Sequence, residues 1–384
     1  MRAPHALSGL VALAAMLAAT VLPAAGEDGS IVSSSAGDLR LETIAGGLAH
    51  PWGLTFLTDG QMLVTERPGR IRLVSAKGEV SAPLSGVPQV WAVGQGGLLD
   101  IAADRDFARN GTIYFCYAEP VAGGGRTAVA RARLIDAPQP HLDATTVIFR
   151  QDGPLSSANH HGCRIAQAPD RNLFIALGEH FTHRDEAQNL GNHLGKIVRI
   201  APDGAVPKDN PFAGRAGARG EIWSYGHRNP QSLAINPASG QLWEIEHGPR
   251  GGDEVNIIAP GRNYGWPVIG YGIDYNGAKI HASTHKEGME QPIKYWVPSI
   301  APSGMAFLRQ DRFRGWRGSL FTGALAGRML VRLSLDGDKV SGEERLLQSL
   351  NERIRDVREG PDGALWLLTD NAPGRILRLS PAGR

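Results

Sequence analysis

Two adjacent histidines, His160 and His161, stand in the polar stretch Ser157-Ala158-Asn159-His160-His161-Gly162-Cys163-Arg164, just ahead of a strand-like run that starts at Ile165. An imidazole on a loop between strands can accept a proton near neutrality, because its reference pKa is about 6.5. It can equally ligate a metal or serve a core hydrogen-bond network, so the pair alone leaves the chemistry open. Arg353 and Arg355 lie two apart at the start of another strand-like run and would share one face of it. Guanidinium groups grip carboxylates bidentately and keep their charge. The plainer alternative is a solvated strand face on which they pair with Asp356 or Glu359. Arg228 and Asn229 sit between Gly226 and Pro230, in a turn that cannot continue as a regular strand. Gln95 is flanked by Gly94 and Gly96.

The elements that must position these residues repeat along the chain. Each unit is an apolar β-rich run, a Pro/Asp/Gly turn and a second β-rich run. Six such units begin near Trp52, Leu98, Cys163, Ser232, Gly304 and Ile354. Most are followed by a strand with one apolar and one polar face, such as Gly69–Val74, Gly195–Ile200, Met329–Leu333 and Arg375–Leu379. Strands of this character pair antiparallel. Six repeats predict an all-β fold, a six-bladed β-propeller with one four-stranded antiparallel blade per repeat. A sandwich or a double barrel is the competing arrangement. Helical periodicity is weak beyond the leader, apart from a short turn near Glu186 to His193. A propeller gathers loops from distant repeats at one end of its channel, so these loop residues are expected to meet.

The chain opens as a secretory leader. Met1-Arg2 supplies the positive start, Leu10 to Leu22 is apolar and Ala-rich, and Pro23-Ala24-Ala25-Gly26 offers small residues for cleavage. The expected organisation is a signal peptide at 1–26, an N-terminal segment at 27–40 and a single propeller domain at 41–384, placed in the periplasm or secreted. The apolar run is short for a membrane span, so no stable insertion is expected. Lys and Arg total 40 against 38 Asp and Glu, with no long run of one sign, which argues against nucleic acid and anionic membranes as partners. Cys116 and Cys163 could form a disulfide or remain buried thiols. Their number and spacing suit no zinc site.

Several loop motifs together resemble one family. They are Gly94-Gln95-Gly96-Gly97, Asn159-His160 with Arg164 four residues on, Tyr225-Gly226-His227-Arg228-Asn229-Pro230, Glu246-His247-Gly248-Pro249, Asp253-Glu254-Val255-Asn256, Asn263-Tyr264-Gly265-Trp266-Pro267 and Arg353-Ile354-Arg355-Asp356. From about His50 to the C-terminus the chain resembles the soluble quinoprotein glucose and aldose-sugar dehydrogenases, six-bladed propellers that use pyrroloquinoline quinone (PQQ) and calcium. The resemblance implies that His160 takes the proton from the anomeric hydroxyl of an aldose. It places Arg228 beside the reactive quinone carbonyl and Gln95, Asn229, Ser299, Arg353 and Arg355 on the cofactor. It assigns the carbonyls of Gly248 and Pro249 to a calcium bridging to PQQ, and Glu254, Tyr264 and Asp274 to a second, structural calcium. The product would be a lactone, with electrons passing to an external acceptor.

The chain departs from the glucose-specific members in four places. Asn159 replaces the acidic residue that orients their histidine. Arg328 stands where they place a lysine against PQQ. His247 replaces a glutamine, and the segment from Gly270 to Lys294 is shorter than their dimer-framing insertions. These differences imply the broader aldose-sugar branch, monomeric and less selective. Two other readings compete: an exported propeller that only binds, and a calcium-dependent lactonase or hydrolase. The first predicts an incomplete set of His160, Arg228, Arg353 and Arg355. The second calls for carboxylate and asparagine ligands around a channel metal.

Overall fold

The computed structural model describes residues 29–136 and 138–383. The leader expected at 1–26 lies outside the described residues. Six antiparallel sheets are arranged as the blades of a propeller. Blade 1 has three strands, Pro51–Phe56, Met62–Glu66 and Arg70–Val74. Blades 2 to 5 have four each and start at Leu98–Ala103, Arg164–Gln167, Pro230–Ile235 and Pro302–Phe307. Blade 6 runs Ile354–Glu359, Leu365–Thr369 and Gly374–Pro381, and Gly37–Leu48 from the N-terminal end of the described chain pairs with its third strand. Ser30–Ser34 adds a fifth strand outside it. That closure ties the two ends of the described chain together, so the ring needs no separate clasp. Regular helix among the described residues is limited to Phe107–Asn110 and the 3₁₀ turns Arg184–Gln188 and Gln348–Leu350. No helix there is long and apolar enough to cross a membrane.

The first strand of each blade packs against the first strands of both neighbours, forming a closed inner ring. Apolar side chains fill the seams between blades, as where Trp243 meets Phe307 edge-on at 5.3 Å. The ring's centre is ionic. Asp100 accepts from Arg164 and Arg358 at 2.9 Å each, and Arg164 also pairs with Asp356 at 3.0 Å. The second oxygen of Asp100 accepts the N–H of Ile165 in the next blade, and Asp356 likewise accepts from Leu54 in blade 1. Each aspartate therefore crosslinks adjacent blades while its charge is matched by guanidinium, the condition under which buried ions are tolerated. Gly304 makes room for this arrangement: a Cβ there would meet Asp356 at 2.0 Å.

Five of the six inner strands carry a register shift against their neighbour, near Pro51, Leu98, Pro230, Pro302 and Ile354. Bulges at strand ends re-aim side chains out of the ladder. Here they fall at the end of the ring from which the loops bearing His50, Gln95, Asn229 and Arg353 project. Cys116 and Cys163 are both buried free thiols.

Candidate active site

At that end lies a cavity of about 550 Å³, lined by His50, Trp52, Arg67, Gln95, Asn229, Gln231, His247, Arg353, Arg355 and Asp370 among others. Its size falls within the range of small-molecule sites. Four of the sequence-derived candidates, Gln95, Asn229, Arg353 and Arg355, thus meet although up to 260 positions separate them. Arg355 donates to Asp370 at 2.8 Å and to Gln231 at 3.3 Å, and Arg353 donates to Asp370 at 3.0 Å. From the sequence, Asp356 or Glu359 is the expected partner. The fold instead turns Asp356 into the central ion cluster and pairs Glu359 with Arg309. Against the upward push of burial, Arg355 and Arg353 hold the Asp370 carboxyl well below the usual range. Burial lowers the Arg355 pKa, and its Nε has no hydrogen-bond partner.

Three guanidinium groups, of Arg67, Arg353 and Arg355, therefore line this cavity against the single carboxylate of Asp370. With an unpartnered buried N–H among them, this donor set suits an anion with several carboxylates better than a neutral or cationic ligand.

His160 is joined to the cavity through Gln95, whose side-chain Oε1 accepts the His160 backbone N–H at 2.8 Å. The imidazole is buried, and its Nδ1 lies 2.9 Å from a carboxylate oxygen of Glu179. That contact leaves Nε2 as the nitrogen free to act on a substrate. The residue behind the imidazole is the main correction to the sequence reading, which looked to position 159 for it and found an amide. Asn159 is a loop residue whose N–H donates to Ser157. The orienting acid comes from the end of the blade's second strand, Leu173–Leu177, two residues beyond its last residue. No motif flagged Glu179, because only strand pairing brings it behind His160. Burial, then the positive field of Arg228, holds the His160 pKa below its usual value, and Glu179 pulls it upward. The loop is conformationally demanding: His160, His180 and Phe181 all take left-handed backbone angles, φ 55°, 57° and 56°. His161 is packed away from the cavity against Trp91 and His180.

Arg228 is buried and donates to the carbonyls of His247 and Gly248 at 3.0 and 2.8 Å. Its own backbone N–H and that of Asn229 donate to Glu246. Gly248 and Pro249 line a second, smaller cavity together with Arg228, Glu246, Glu254 and Tyr264. Behind it Glu244, Glu246 and His227 offer ligand atoms within 4.8 Å of one another. Among the described residues Glu244, Glu246 and Glu254 have no Lys or Arg side-chain partner within ion-pair distance. Glu244 Oε1 and His227 Nδ1 have no hydrogen-bond partner either. Burial, then the negative charge of Glu246, pushes the Glu244 and Glu254 carboxyls well above the usual range. Buried carboxylates without a counter-ion fit a divalent cation.

Besides His160, which lines neither cavity itself, three candidates stand apart from them. The Ser299 hydroxyl donates to Asp253, which also accepts the N–H groups of Gly248, Ile300 and Ala301, so Ser299 helps fix the loops on either side. Arg328 is exposed and donates to Asn351. Asp274 lies in a turn closed by its own N–H to Ala278, 3.7 Å from Arg184, and lines neither cavity.

Comparison with known proteins agrees with the fold. The glucose/sorbosone dehydrogenase family model matches residues 48–378. The chain is 49% identical over 348 residues to the aldose sugar dehydrogenase YliI of Escherichia coli K12, covering 89% of this chain and 93% of that protein. A crystal structure of a glucose dehydrogenase, 51% identical, superposes with a TM-score of 0.86 over 88% of this chain and 99% of that one. The PQQ-bound aldose sugar dehydrogenase of Streptomyces coelicolor, 32% identical, superposes at 0.74 over 93% of this chain and 99% of its own. The chain belongs to the glucose/sorbosone dehydrogenase family.

Proposed function

We propose that this protein is a PQQ- and calcium-dependent dehydrogenase that oxidises the anomeric carbon of aldose sugars to the lactone. The observation that carries the reading is a carboxylate-backed imidazole tied through Gln95 to a cavity whose guanidinium set suits an anionic cofactor. Arg353 and Arg355, with Gln95 and Asn229, would hold PQQ. The carbonyls of Gly248 and Pro249 would hold a calcium, the Gly248 oxygen using the lone pair that Arg228 leaves, and Glu254 and Tyr264 of the same cavity would help take a second. PQQ, when bound, supplies the hydride acceptor and later passes electrons to an external acceptor.

The protein's own part is proton transfer and charge placement. Glu179 keeps the His160 proton on Nδ1, so Nε2 presents a lone pair to the anomeric hydroxyl. As Nε2 takes the proton, the adjacent carboxylate stabilises the imidazolium that forms. Arg228, fixed by the carbonyls of His247 and Gly248, sets a permanent positive charge near His160. That charge favours neutral imidazole in the resting state and stabilises negative charge developing on the acceptor side. The leader at 1–26 supports export, and the chain is proposed to act as a monomer in the periplasm or outside the cell.

The test is reconstitution of apo-protein with PQQ and calcium, followed by dye-linked assays on a panel of aldoses. Turnover should require both additions, NAD should not replace PQQ, and EDTA should lower activity. A protein that fails to retain PQQ, or retains it without oxidising any aldose, defeats the proposal.

A further inference from the structure

Two large aromatic side chains remain exposed beside the buried reactive groups. Phe181 is 41% exposed and Tyr275 is 55% exposed. The Phe181 ring meets the His160 ring edge-on, 5.1 Å between centroids at 90°. The Tyr275 hydroxyl accepts from Arg228 Nη2 at 3.4 Å. The two aromatic rings lie 6.4 Å apart. An aromatic wall thus runs from the proton-accepting imidazole to the Arg228 guanidinium. Phe181 is held there against its backbone preference: its φ is 56°, and its N–H donates to the same Glu179 oxygen that His160 faces. Exposed apolar surface gathered at one functional mouth calls for a ligand rather than for solvent.

We propose that Phe181, with Tyr275 beside it, forms the platform that binds the sugar ring. The C–H face of a pyranose packs on an aromatic surface, whose π-face is electron-rich, while the hydroxyls at its edge remain solvated or hydrogen-bonded. Seated on this wall, a ring presents its anomeric hydroxyl to His160 Nε2. Phe181 therefore selects cyclic aldoses over open-chain aldehydes, which have no such face. This inference rests on the aldose-oxidising reading above.

The experiment compares the reconstituted wild type with Phe181→Ala and Phe181→Tyr. In F181A the KM for glucose should rise about three- to tenfold with kcat within about twofold, the range expected for losing one aromatic contact. F181Y should restore the wild-type KM. The KM for glycolaldehyde, which lacks a ring, should not move. Calorimetric titration with 1,5-anhydroglucitol, a ring sugar without the oxidisable hydroxyl, should show the same weakening without turnover. Unchanged KM and unchanged anhydroglucitol affinity in F181A overturn the proposal. So does a fall in kcat with a shifted acid limb and unmoved KM, which would make Phe181 only a support for His160 and Glu179. If the wild type oxidises no aldose, the parent reading fails, and the anhydroglucitol titration still decides the platform.

Discussion

Replacing Glu179 with glutamine tests the catalytic geometry most directly. The substitution keeps the shape of the side chain but removes the charge 2.9 Å from His160 Nδ1. Hydrogen bonds to charged groups contribute about 1.5–3 kcal/mol, and each 1.36 kcal/mol of barrier is tenfold in rate. Glu179→Gln should therefore lower kcat by about ten- to a hundredfold, since the lost interaction is strongest once the imidazole is protonated. The pH profile should move as well. Burial and Arg228 lower the His160 pKa, and Glu179 is the principal influence in the other direction. Without it the imidazole loses its proton more readily, so the acid limb of kcat shifts to lower pH while the plateau falls. Retention of PQQ should not change, because Glu179 does not line the guanidinium cavity. The assay is dye-linked steady-state oxidation of glucose by reconstituted protein from about pH 4 to 9, spanning the ordinary histidine range. A plateau equal to the wild type, or an acid limb that moves upward, would refute Glu179 as the partner that holds and charges His160.

Four further outcomes are expected. His160→Ala should abolish most turnover while PQQ still binds, measured by quinone absorbance alongside the dye assay. Arg355→Ala should weaken PQQ retention by about 30-fold or more, the scale for truncating one member of a buried charge pair, because it also leaves Asp370 facing the anion. Arg353→Ala should cost less, since that side chain is 40% exposed; equilibrium dialysis against PQQ distinguishes the two. Asp356→Ala should destabilise the fold by about 3 kcal/mol, since it leaves Arg164 and Arg358 sharing the single carboxylate of Asp100 and frees the Leu54 N–H; urea unfolding reads the loss.

Much of the scaffold is legible in the linear chain. The strand pairs around Trp52, Leu98, Ser232 and Ile354 announce themselves by apolar runs broken at Pro, Asp and Gly, because a strand's burial pattern is a local property. The observed strands Arg70–Val74 and Lys196–Ile200 fall on the alternating runs read from sequence. The closing strand Gly37–Leu48 is not legible in this way, because its role depends on meeting Gly374–Pro381 at the far end of the chain. The sequence reading also counted four strands in every blade, whereas blade 1 has three and blade 6 has five.

For the site, the sequence by itself determined which chemical groups were present: an imidazole at 160, paired guanidiniums at 353 and 355, and a constrained Arg-Asn turn at 228 and 229. Only the tertiary structure decided their partners. It put Glu179 rather than residue 159 behind His160, Asp370 rather than Asp356 or Glu359 between the two arginines, and Glu244, Glu246 and His227 behind Glu254, while leaving Asp274 apart. Residue type follows from one position in the chain. A partner follows from which strand ends the ring brings together, and that is fixed by packing across blades between residues far apart in sequence.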